Sequence, residues 1–211
     1  MKHFLSLAAV FCGICVLVSC SNSVPSVSSV SSSVVFDYAS EDAQPSVRLS
    51  LFALAESDFL RASKINVYNE NTGLEWECSS LRKISDEGKN NWAGYSNFVS
   101  SDGVQIPKGR YSLVYEDASE RECEVPFYVN YDSALYESRP KDFPGVLSGN
   151  RMQRLAVYDK DGMLLYFGER KNNWSDDKKI LLDFANADTF RICWLYAGNA
   201  VICMMPYQSL K

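Results

Sequence analysis

Cysteine supplies most of the reactive chemistry in this sequence, at positions 12, 15, 20, 78, 123, 193 and 203. Histidine occurs only once, at His3. Cys12-Gly13-Ile14-Cys15 has the spacing of a redox pair, but it lies inside an uncharged run, Phe4 to Val18, that follows the basic start Lys2-His3. A basic start followed by such a run is the n-region and h-region pattern of a secretory signal, which is removed on export. The run covers 15 residues, whereas a helix crossing the hydrocarbon needs about 20. Cys12, Cys15 and His3 are therefore expected to leave with the signal, and the mature chain is expected to carry no imidazole. It can then assemble neither a Ser-His-Asp nor a Cys-His nucleophile, and it lacks the commonest ligand of catalytic zinc. No G-x-S-x-G, phosphate-cradling glycine loop or H-E-x-x-H is present, and no catalytic residue, metal site or cofactor is assigned.

The run ends in Leu17-Val18-Ser19-Cys20. This tetrapeptide resembles the lipobox of bacterial lipoproteins, in which an aliphatic residue and a small residue precede a cysteine that receives a diacylglyceryl group before cleavage. The resemblance implies lipidation of Cys20, a mature chain beginning there, and attachment to a membrane of the bacterial cell envelope. Several acyl chains, at about 0.8 kcal/mol per buried methylene, give stable anchoring. Ser21 after the cysteine resembles the outer-membrane default of Gram-negative sorting.

Loss of residues 1–19 leaves 192 residues, with 20 basic side chains (Lys2 gone from 21) against 26 acidic ones, a net charge of −6. An acidic chain without a basic run is not built for nucleic acid. Residues 20–33 are almost all serine and valine and uncharged, which predicts a flexible tether. Past it, apolar residues alternate at period two, which predicts strands. Val47, Leu49 and Leu51 form one such face. Ile65 and Val67 lead through Asn69 to Gly73 into Trp76 and Cys78, with Glu75 and Glu77 pointing the other way; Tyr111, Leu113 and Tyr115, then Cys123, Val125, Phe127 and Val129, form others. Residues 79–101 are polar and predict a long excursion. Asp159 to Gly162 predicts a hairpin turn rather than a calcium loop. Phe190 to Tyr196 and Ala200 to Met205, joined at Gly198-Asn199, predict a central hairpin that is apolar on both faces.

The expected fold is mainly β: an antiparallel β-sandwich, built as two packed sheets or as two small sandwich units. Its segments are 34–136 and, after a Pro- and Gly-rich crossover, 150–211 as a second β unit or a continuation. Pro107-Lys108-Gly109-Arg110-Tyr111 resembles the P-x-G-x-Y strand entry of transthyretin-like and Cna-B-like β-sandwiches. That resemblance implies a fold and no function.

Cys78, Cys123, Cys193 and Cys203 all fall in predicted strands. In an exported protein they pair as disulfides or stay buried as free thiols, and both remain open. Asp176-Asp177-Lys178-Lys179 is the densest charge cluster and reads as a solvated loop. Lys-Asn-Asn-Trp occurs twice, at 89–92 and 171–174. Trp92, Tyr95 and Trp174 are the candidate binding surface, for a protein or glycan partner, unless they cap the core. The chain thus reads as a lipid-anchored envelope interaction module, not an enzyme. A carboxylate-dependent glycosidase-like hydrolase, recognisable by two acidic groups facing each other across a cleft, and a small-ligand carrier are the alternatives.

Overall fold

The computed structural model describes residues 24–56, 59–86, 90–101, 105–142 and 150–210. The signal run and Cys20 lie outside these residues. The fold is mainly β, with two packed sheets. The larger is mixed and curled. Its strands are β1 (Val27–Asp37), β2 (Ser46–Ala55), β5 (Arg82–Asp86), β6 (Asn90–Phe98), β9 (Arg151–Asp159), β10 (Leu164–Gly168), β11 (Ala187–Tyr196) and β12 (Val201–Met204), in the order β10-β9-β11-β12-β1-β2-β6-β5. A short β13 (Gln208–Ser209) pairs with β11. The smaller sheet orders β4 (Glu75–Cys78), β3 (Ala62–Asn69), β7 (Gly109–Asp117) and β8 (Glu122–Val129) as β4-β3-β7-β8.

Described neighbours are antiparallel except β1 and β12, which run parallel from Val34 opposite Val201 to Asp37 opposite Met204. That seam joins the beginning of the folded chain to its end. Strands β9 to β12 therefore extend the large sheet of the first half.

Period-two alternation fills the space between the sheets. Phe36, Leu49, Leu51 and Ala53 from the large sheet meet Ile65, Val67, Tyr111 and Leu113 from the small one, all fully buried. Glu75 and Glu77 are exposed while Trp76 and Cys78 turn inward, as their alternation requires. Tyr111 follows Gly109, whose φ of +128 admits only glycine comfortably, and its hydroxyl donates to the Pro107 carbonyl at 2.7 Å. Beyond the small sheet the same face of β9 and β11 is covered instead by α1 (Ile180–Asp183) and Leu210, making a second core with Leu155, Val157, Trp174 and Phe190.

Two local expectations need correction. The serine- and valine-rich run is no tether from Val27 on, because residues 27–33 belong to β1. Val27 and Val30 pack on the core, Ser29, Ser31 and Ser33 take outward positions, and β-branched valine favours the pleated backbone. Residues 82–86 and 90–98, read as an excursion, are strands β5 and β6; in register Arg82, Ile84 and Trp92 take the outer face, while Lys83, Ser85 and Asn91 lie on the side of Ala93 at the edge of the sheet. Ile180, Leu182 and Phe184 form a short helix and its end; Ile180 is buried and Leu182 exposed. The other turns agree with expectation: Asp159 Oδ1 accepts from the backbone of Asp161 and Met163, and Gly162 takes a φ of +77.

Candidate functional site

Strand β6 bulges between Tyr95 and Phe98, since the two-residue step from Leu49 to Leu51 faces a three-residue step on β6. A bulge re-aims side chains, and here it brings Tyr95 and Phe98 together on the inner side, with ring centroids 5.2 Å apart at 79°. From the facing sheet Trp76 approaches Phe98 at 5.8 Å and stacks on Tyr111 at 6.4 Å. The Trp76 indole is fixed in place by donating to the Val99 carbonyl at 2.6 Å. Trp76, Tyr95 and Phe98 border an open cleft of about 320 Å³ whose other walls include Glu77, Ser79, Ser80 and Asn97. Aromatic faces beside hydroxyl and amide groups suit a ligand that is apolar on one side and polar at its rim. Only one carboxylate, Glu77, lines it. A second cleft, about 230 Å³, also holds one, Glu41, near the Arg151 guanidinium lying 5.1 Å from the Trp194 ring. Neither described cleft presents the paired acids of a glycosidase. Among the described residues no group of three or more His, Cys, Asp or Glu side chains is placed to hold a metal ion.

The three aromatic candidates separate. Trp92 is not in a loop; it is half-buried in β6, between Leu54 of β2 and Ile84 of β5, on the outer face of the large sheet. Tyr95 points to the opposite side and lines the cleft. Trp174 is no surface residue at all, being 1% exposed in the second core. Its indole donates to Asp183 Oδ2 at 2.9 Å, and the Lys171 amine sits 5.0 Å above its ring while also reaching Asp183 at 2.9 Å. The two Lys-Asn-Asn-Trp segments therefore end in side chains with unrelated roles.

All four described cysteines are free thiols, so of the two readings left open the structure takes the unpaired one. Register explains two of the pairings. Cys78, Ile65, Tyr115 and Cys123 lie in one row across β4-β3-β7-β8, which puts three interstrand steps, about 14 Å, between the two cysteines. A disulfide needs Cα atoms within about 7 Å. Cys193 and Cys203 sit on opposite faces of the large sheet, in separate clusters. Burial pushes the Cys193 thiol up to about 11 and the Cys203 thiol up to about 12, which suits inert core residues.

Sequence reading missed one buried charge cluster. Arg191, 2% exposed, sits on β11 between Phe190 and Ile192 and faces the other way. Its guanidinium donates to Asp37 Oδ1 at 2.6 Å and to the carbonyls of Met205 at 2.7 Å and Met204 at 3.0 Å, while the Tyr207 ring lies 4.3 Å away. Arg48 binds the other Asp37 oxygen at 2.9 Å. Burial raises the Asp37 pKa, and hydrogen bonds from Arg191 and Arg48 reverse this, leaving the carboxyl below its ordinary value. The available signal was an arginine within the otherwise apolar run Phe190 to Tyr196; its partner, 154 residues away, had none. The cluster clamps the parallel seam between β1 and β12 and opens into neither described cleft. No protein-family model, curated protein or solved structure matches this chain.

Proposed function

We propose that this chain is a lipid-anchored protein of a bacterial cell envelope, held through Cys20, which binds a glycan in the Trp76–Tyr95 cleft and performs no chemistry on it. The anchor rests on Leu17-Val18-Ser19-Cys20. The binding role rests on one observation above the rest: the bulge in β6 sets Tyr95 and Phe98 beside Trp76 in an open cleft with serine and asparagine at its rim. Sugar rings combine an apolar face with edge hydroxyls, so stacking on an aromatic and hydrogen bonds to Asn97, Ser79 and Ser80 answer both. The single carboxylate there supplies neither an acid–base pair nor a nucleophile with its acid, which supports binding without hydrolysis.

The test is co-sedimentation of the purified protein with insoluble peptidoglycan sacculi, comparing wild type with Tyr95→Ala and Asn97→Ala. Truncating an aromatic anchor typically costs about 2 kcal/mol, roughly thirtyfold in affinity. Retention of the wild type, clearly weakened in both variants at unchanged far-ultraviolet dichroism, is expected. Wild-type protein left in the supernatant, or variants retained as well as wild type, would overturn the glycan reading. Asn97 is exposed, so its variant separates loss of binding from loss of fold.

A further inference from the structure

The outer face of the large sheet carries an apolar patch at the end where the chain enters. Interstrand register places Ser29, Leu54, Trp92 and Ile84 in one row across β1-β2-β6-β5, and Ser31, Phe52, Gly94 and Arg82 in the next. Outward alternation is secure, because Leu51, Ala53 and Ala93 between these positions are fully buried on the inner side. Ile84 is 48% exposed, while Trp92, Leu54 and Phe52 are half-buried. Phe52 lies over Gly94 so closely that a Cβ there would sit 2.8 Å from Phe52 Cδ1 and 2.1 Å from the Leu51 carbonyl oxygen. The patch is thus a shelf of four apolar side chains, rimmed by serines on one flank and by exposed Arg82 on the other.

We infer that this shelf rests against the bilayer that holds acylated Cys20, so that the protein lies on its membrane by a defined face; the inference depends on the anchor reading above. Three observations join here. First, Val27 comes seven residue steps after Cys20, and a fully extended chain covers at most about 3.6 Å per step, about 25 Å in all. Since β1 begins at Val27 and takes up the expected tether, the domain cannot stand off from its anchor by more than that. Second, the shelf begins two residues into β1, at the row of Ser29, and Val24 just before the strand is 62% exposed. Third, its composition suits the interfacial layer: tryptophan prefers headgroup depth, isoleucine, leucine and phenylalanine the acyl boundary, and arginine the phosphates. Tyr95 and the cleft lie on the opposite side of the same sheet from Trp92, so a bilayer on the shelf leaves the cleft free.

The inference is tested with the full-length chain, expressed with its signal so that it is processed in a bacterial membrane, carrying Cys123→Ser and Ile84→Cys. The purified protein is labelled at residue 84 with an environment-sensitive nitrobenzoxadiazole and reconstituted into phosphatidylethanolamine–phosphatidylglycerol vesicles containing doxyl-labelled lipid. A second reporter uses Ser31→Cys on the same face. The control uses Asp161→Cys, in the exposed β9–β10 turn at the far end of the sheet. Emission at 84 and 31 shifted to the blue and quenched several times more strongly than at 161 is the expected result. Equal, weak quenching at all three sites, with acyl mass present on Cys20, would overturn the shelf and leave the anchor standing. An unacylated Cys20 in processed protein would overturn the anchor reading itself, and the shelf with it.

Discussion

Arg191→Ala is expected to lower stability by about 3–5 kcal/mol, the usual cost of breaking a buried ion pair from one side. The substitution leaves Asp37 with Arg48 alone, deprives the Met205 carbonyl of its guanidinium donor, and leaves the Met204 carbonyl with only the Tyr38 backbone N–H. Arg48→Ala should cost clearly less, because Arg48 is partly exposed and Arg191 keeps the carboxylate neutralised. Urea midpoints at constant slope measure both. The pH dependence has a definite sign. A carboxyl whose folded pKa lies below its unfolded value contributes fully above that unfolded value, and the contribution fades as pH falls through the folded one. Asp37 is held below its ordinary 3.8, as is Asp117, which the Arg121 side chain, acting against burial, pulls down to about 2. The wild-type midpoint should therefore hold steady above about pH 5 and drop steeply below about pH 4. An Arg191→Ala midpoint within experimental error of wild type would show that the seam does not depend on the cluster.

Trp174→Ala should cost about 3–5 kcal/mol, as large buried aromatics do, whereas Trp92→Ala should cost well under half of that. Trp174 loses edge contacts with Tyr166 at 5.0 Å and Phe184 at 6.1 Å, and Asp183 loses an indole donor. Trp92 gives up only an outer-face contact between Leu54 and Ile84. Thermal midpoints of the two variants separate these roles. Equal losses would place Trp92 in the core and remove it from the outer shelf.

How far the fold was legible depends on whether the relevant signal was local. The Ile65 to Cys78 hairpin, the Tyr111 to Tyr115 face and the Asp159 to Gly162 turn were readable because alternation and turn chemistry act within a few residues. Strand β1 was hidden because its outward positions are serines, which look like linker composition until Ala55, Leu51 and Leu49 appear opposite. Strand β5 was hidden for a related reason: it is an edge strand, where charged side chains such as Arg82 and Lys83 guard against strand addition and blur the alternation. The parallel pairing of β1 with β12 joins Val34 to Val201, and nothing near either residue encodes that contact.

The candidate site divides in the same way. The type and neighbours of Tyr95 mark it as a candidate, but the Trp76 and Phe98 rings that make it part of a cleft depend on a bulge and on sheet packing. Trp174 shared its tetrapeptide with Trp92, yet burial is decided by Asp183, Phe184 and Tyr166, residues that the tetrapeptide does not contain.

Whether the chain works from a membrane through lipid on Cys20 is decided by intact-mass analysis of full-length protein expressed in a bacterium. The expected result is a mature chain beginning at Cys20 with diacylglyceryl mass on that residue, partitioning into the detergent phase, and a Cys20→Ala form that carries no such mass and stays in the aqueous phase. Processed protein with an unmodified Cys20, recovered in the aqueous phase, would contradict it.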